Sequence, residues 1–154
     1  MAFFTRFDIQ DFTITGVMPK SLPRTKNYDC GLDISYNSTI KRYEYKFECE
    51  SYVLWNPEDT LTFNLNDMTG GLADLWLLKY TCTEPETVIL INIATGKEDI
   101  PANIFANKAK SVRMILQLNR HKLVHVGLIV VIAPKDGSET TYLLCDPQVG
   151  SGPP

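Results

Sequence analysis

Residues 42–50 read Arg42-Tyr43-Glu44-Tyr45-Lys46-Phe47-Glu48-Cys49-Glu50, apolar at every second position and charged at every position between. Strand side chains leave alternately to opposite faces. This stretch therefore makes one largely aromatic face and one ladder of charges, as a half-buried antiparallel strand requires. Residues 61–66 repeat the device, with Leu61, Phe63 and Leu65 alternating with Thr62, Asn64 and Asn66. Between the two lies Asn56-Pro57-Glu58-Asp59, where proline presets φ and Asn and Asp tolerate tight backbone geometry. A hairpin, or a corner between two sheets, is expected there.

The same period extends outward in both directions. Phe12, Ile14 and Val17 suggest a first strand, and Leu32 with Ile34 a short one. Residues 19–28 carry two prolines among polar residues and read as a long loop or edge. Asn37-Ser38-Thr39 fits a glycosylation sequon by pattern and reads as a polar turn. After Gly70-Gly71, residues 75–82 are apolar and aromatic, and residues 88–93 form a β-branched run closed by Ala94-Thr95-Gly96-Lys97. Pro101 suits the first position of a helix over 101–110, with a strand following through Val112, Met114, Leu116 and Leu118. Asn119-Arg120-His121-Lys122 is expected to be a hairpin loop into the apolar strand 124–132. Lys135-Asp136-Gly137-Ser138 then turns the chain back into 141–145.

Eight to ten short strands with one or two small helices indicate a mainly β protein, an antiparallel β-sandwich or jelly-roll-like domain. A chain of 154 residues can bury a sufficient core in one domain, taken here as residues 1–148 with a flexible tail at 149–154. Residues 1–10 carry Arg6 and Asp8, so no secretory signal is expected. The longest apolar run, 126–133, is too short to span a bilayer. A cytoplasmic setting follows as the expectation.

Cys30, Cys49, Cys82 and Cys145 are widely spread and include no C-x-x-C pair, so buried free thiols are expected rather than zinc or disulfides. His121 and His125 are the only histidines and have no neighbouring carboxylate to complete a metal set. No nucleophile elbow or phosphate-cradling glycine loop occurs. Neither a catalytic residue, nor a metal, nor a cofactor is expected, and the protein reads as a non-enzyme.

Charge is distributed unevenly. Residues 100–134 contain no Asp or Glu yet hold Lys108, Lys110, Arg113, Arg120 and Lys122, so a total of −3 divides into +5 there and −8 elsewhere. These five side chains are the candidate anion- or partner-binding residues. Their expected partners are nucleic acid, an anionic membrane surface or a neighbouring copy. Acidic residues around Asp67, Asp74, Glu84 and Glu86 would meet them in a homo-oligomer. Such charge-paired assembly would loosen in high salt. Trp55, Trp76, Tyr43, Tyr45, Tyr52 and Tyr80 could stack sugars or bases, but their alternation fits core packing better.

Three stretches resemble known families. Residues 20–37, with Leu22-Pro23 and Asp29-Cys30-Gly31-Leu32-Asp33-Ile34, are similar to the first motif of trimeric dUTPases, which implies a nucleotide-binding alternative. The later Gly-Arg-Ser-Ser motif of that family is absent. Val126-Gly127-Leu128-Ile129-Val130 leading to Leu143-Leu144-Cys145-Asp146 resembles the strand–turn–strand–Asp pattern of plant-virus movement proteins. Residues 100–146 resemble matrix proteins of negative-strand RNA viruses, in which a polar helical stretch leads into a Gly-Leu-Ile-Val-type strand, a turn and a final strand. That resemblance implies a viral structural protein (matrix, capsid-like or accessory) working by self-assembly. The sequence therefore reads as a self-associating structural or interaction protein. The alternatives are the dUTPase-like reading and a carbohydrate- or nucleic-acid-binding β-sandwich module.

Overall fold

The computed structural model describes residues 27–48, 60–117, 123–145 and 148–150. In order they form β1 (Asn27–Asn37), β2 (Arg42–Glu48), β3 (Thr60–Asp67), β4 (Ala73–Cys82), a 3-10 turn (Pro85–Thr87), β5 (Val88–Ile91), α1 (Pro101–Ile104), β6 (Ser111–Leu116), β7 (Leu123–Pro134), β8 (Thr141–Cys145) and β9 (Gln148–Gly150). One sheet has the order β2-β1-β3-β6-β5 and the other β4-β7-β8, with β9 pairing further along β7. The structure is the mainly β, sandwich-like arrangement that the alternation predicts.

Alternation places the core. Cys30, Leu32 and Ile34 of β1, Phe47 of β2, Leu61 and Phe63 of β3, and Val112, Met114 and Leu116 of β6 point inward from the first sheet. Leu75 and Leu77 of β4, Val126, Leu128, Val130 and Ile132 of β7, and Cys145 of β8 supply the second sheet's share. These residues belong to one continuous cluster. Phe47 and Phe63 meet edge to face over β1, ring centroids 5.8 Å apart. Each fully buried side chain of this size contributes about 1.5–3 kcal/mol relative to exposure.

The connections differ from the expected ones in four places. Residues 42–48 and 60–67 do not pair with each other. β2 pairs antiparallel with β1 while β3 lies on β1's other side, parallel to it. β1–β3 is therefore the one parallel pairing among the described strands, and the other pairs are antiparallel as expected. The β1 strand is also longer than expected: it begins at Asn27 and buries Tyr28, both of which the proline-rich loop was expected to include. Expected strand neighbours 111–116 and 123–134 belong to different sheets, so they are not the two arms of a hairpin. The helix expected over 101–110 is a single turn, ended before Asn107 and Lys108, whose φ of 56° each is left-handed.

Other turns follow their chemistry. Asn37 Oδ1 accepts from the amides of Thr39 and Ile40 between β1 and β2. Gly70, Gly71, Gly96 and Gly137 all hold positive φ at the expected turns. The candidate first strand around Phe12, Ile14 and Val17, the turn 56–59, Cys49, Trp55, Tyr52 and His121 lie outside the described residues, as does the side chain of His125. β9 takes in Val149 and Gly150, assigned above to the tail.

Candidate interaction surface

The basic window begins as a strap between the sheets. Leu65 N of β3 donates to Lys110 O and Leu77 N of β4 donates to Ala109 O, both at 2.8 Å. Two successive carbonyls thus hold one strand from each layer. The Lys110 ammonium donates in addition to Leu75 O, on the outer edge of β4. A strand edge carries unpaired N–H and C=O groups, and this segment satisfies several of them.

Each candidate cation then has its own place. Lys108 Nζ stands 4.7 Å from the centre of the Trp76 ring, a cation–π contact. Trp76 alternates with buried Leu75 and Leu77, so it faces outward from the second sheet. Arg113 alternates with buried Val112 and Met114, so it faces outward from the first sheet, where its Nε donates to Thr62 Oγ1 at 2.8 Å. Lys108 and Arg113 therefore lie on opposite outer faces, with Lys110 at the seam. The three make no common cationic surface. Arg120 and Lys122 lie outside the described residues. Of the acidic residues expected to complement them, Asp67 caps its own turn by accepting from Thr69 N and Oγ1. Asp74 lies 3.9 Å from Lys135, an exposed pair of little energetic weight.

The two outer faces differ in chemistry. On the five-stranded sheet, small polar side chains bond one another. Asn27 Oδ1 accepts from the hydroxyls of Thr60 and Thr62, Ser111 Oγ donates to Asn64 Oδ1, and Asn66 Nδ2 donates to Asp33 Oδ1. Such a face is content in water. On the second sheet the registered row Trp76–Val131–Tyr142 crosses all three strands, and Ile129–Leu144 lies beside it. Tyr142 is 63% exposed, Leu144 53% and Leu78 41%. Leu78 is the additional residue where the β4–β7 register shifts, and the irregularity turns it outward too. Lys79 and Lys108 border the patch on the β4 side.

Trp76, expected in the core, is thus a surface ring. Tyr80 faces the interior and stacks on Phe105, which follows α1, with centroids 6.3 Å apart. Cys30 and Cys145 are buried, while Cys82 is half-buried and its thiol is pushed up by desolvation. Among the described residues no group of three His, Cys, Asp or Glu is placed to hold a metal ion. Nor is any described helix long and apolar enough to cross a membrane. The apolar patch was missed in the sequence because residues 126–133 read simply as a buried strand. Its signal was Tyr142 and Leu144 on the opposite parity from Leu143 and Cys145. No protein-family model matches the chain, and none of the curated proteins compared with it is similar.

Proposed function

We propose that the protein is a non-enzymatic structural or interaction protein that self-associates through the outer face of the β4-β7-β8 sheet. The observation that carries this reading is the registered apolar row Trp76–Val131–Tyr142 with Ile129, Leu144 and Leu78 around it, in which Val131 is buried and Tyr142, Leu144 and Leu78 are the exposed members. A second copy is the occupant that needs nothing new: the same patch on both partners is self-complementary in chemistry, as a two-fold interface requires. The resemblance of residues 100–146 to viral matrix proteins supports the same kind of work, done in many copies.

Strand spacing and rise give the patch a flat area of roughly 250 Å². A stable dimer buries about 800 Å² per partner. The contact is therefore concentration-dependent and draws on its borders. Its salt response has a definite sign: an apolar contact persists in sodium chloride and strengthens in sulfate, whereas charge-paired assembly loosens.

Sedimentation velocity over a concentration series tests it. The unmodified chain gives weight-average mass rising with concentration and rising further in sulfate. Tyr142→Lys with Leu144→Lys weakens association at least about tenfold, since the interface would bring like charges together. A chain that stays monomeric throughout, or a variant that associates as before, overturns the proposal. Dissociation in sodium chloride would return the case to the charged residues.

A further inference from the structure

The core runs out at one end of the sandwich. Ile34, Phe47 and Ile132 are fully or almost fully buried, but the next inward positions on the same strands, Tyr36, Tyr43 or Tyr45, and Pro134, are only half-buried. Beyond them the sheets part, leaving an open cleft of about 780 Å³ between the β1–β2 and β7–β8 turns. That volume lies within the range of small-molecule sites, roughly 300–1,000 Å³. It is lined by inward-facing positions of β8, so it is separate from the outer face proposed for self-association.

The lining mixes three kinds of group. Tyr36 and Tyr43 lie against each other with ring centroids 4.9 Å apart and planes inclined at 58°, a fixed aromatic wall. Lys41, Arg42 and Lys135 bring donors, and Asp136 and Glu139 bring acceptors. Among the described residues neither Lys41 nor Arg42 has a carboxylate within ion-pair distance, so both are free to meet a ligand. Hydrogen bonds from the Ser138 hydroxyl and from Ser138 N, the latter at 2.8 Å, hold the Asp136 carboxyl below the usual range, ionised at neutral pH. Burial, Tyr36 and the nearby Asp136 and Asp67 push the Tyr43 phenol up, so it stays a donor.

We propose that this cleft binds a neutral saccharide, one sugar ring resting its C–H face on the tyrosine wall while its hydroxyls bond the charged side chains. The mixture selects the class. A phosphate or sulfate would gain from three cations but face two carboxylates in the same lining and a third nearby, which largely cancels the attraction. A purely apolar ligand would offer the charged side chains of the lining no partner. Sugar hydroxyls donate and accept at once, so they satisfy both signs. A pyranose also presents an apolar patch that suits an aromatic wall.

The test is isothermal calorimetry and tyrosine-ring NMR on the whole chain with maltose, lactose, cellobiose, mannobiose and di-N-acetylchitobiose, with uridine and adenosine monophosphates as the anionic arm. At least one disaccharide should bind and shift the Tyr36 and Tyr43 ring signals, with affinity unchanged on raising sodium chloride from about 50 to about 500 mM. Tyr43→Ala should weaken that binding about tenfold. Glu139→Ala, on an exposed turn residue whose loss leaves the core intact, should weaken it about threefold. The proposal is overturned if none of the five disaccharides shifts the tyrosine signals, or if both variants bind as the unmodified chain does. It is equally overturned if the nucleotides bind in a salt-sensitive way and the sugars do not. Self-association is read separately by sedimentation, so either idea can fail alone.

Discussion

Lys110 illustrates how a charge counted in the sequence is used up inside the fold. Its carbonyl takes Leu65 N and its ammonium donates to Leu75 O, so the residue ties the seam between layers. Lys110→Met keeps the aliphatic stem and removes that donor. The expected loss is about 1 kcal/mol, read as a lower denaturant midpoint with an unchanged slope. An unchanged midpoint would show that the ammonium contributes nothing there. Asp99 gives a pH-dependent counterpart. Its carboxyl is held below the usual range by hydrogen bonds from Asn103 and Asn92 side chains and from Ile100 N. A depressed folded-state value means stability that is present above the unfolded value and is lost as pH falls through the folded one. The thermal midpoint gap between the unmodified chain and Asp99→Ala should therefore be open at about pH 6 and close towards about pH 2. A gap of constant width would rule out the carboxylate as its source. The number of cations between residues 100 and 134 was plain from sequence, but their directions were not. Left-handed Asn107 and Lys108 reset the chain's path just before β6, and no spacing rule registers that.

Among the elements, β7 carries the tightest fit. A Cβ at Gly127 would lie 2.7 Å from Thr81 Oγ1 and 3.1 Å from Leu144 Cδ1, so the flanking strands close over this position. Gly127→Ala should cost about 1–3 kcal/mol, and adding Thr81→Ala should recover a measurable part by removing the nearer atom. Chemical denaturation of both variants checks this; equal losses in the single and double variants would mean the crowding lies elsewhere. Strands were the most legible elements because a period of two leaves its mark on every residue, as in Tyr43, Tyr45 and Phe47 against Glu44, Lys46 and Glu48. Partnership was hidden. β2 and β3 look like two arms of a hairpin, yet β1 lies between them, because pairing is decided by which edges meet across the whole core. That β6 and β7 belong to different sheets escaped for the same reason. Exposure on β8 was also illegible at first sight, since Tyr142 and Leu144 have the composition of core residues.

At the scale of the whole molecule, both sheets bury their inner faces in one cluster, which should make unfolding a single cooperative event. Phe63→Ala from the first sheet and Leu77→Ala from the second should each lower the same transition, by about 3–5 and 2–5 kcal/mol respectively. Two separate transitions in either variant, seen by far-UV and near-UV circular dichroism together, would mean that the layers unfold independently. The sandwich class was readable from alternation and turn spacing alone, while the two surfaces argued above were not. An apolar patch and an end cleft both arise from where packing stops, and packing stops in three dimensions. The seam segment has one more consequence. Ala109 and Lys110 take up Leu77 N and Leu75 O on the rim of β4, so a chain adding laterally there would have to displace them, whereas the other side of the sheet is formed by β8 and β9. Two molecules joining along β8 and β9 would exhaust each other's docking rail there, and growth beyond a pair would require displacing that segment from β4.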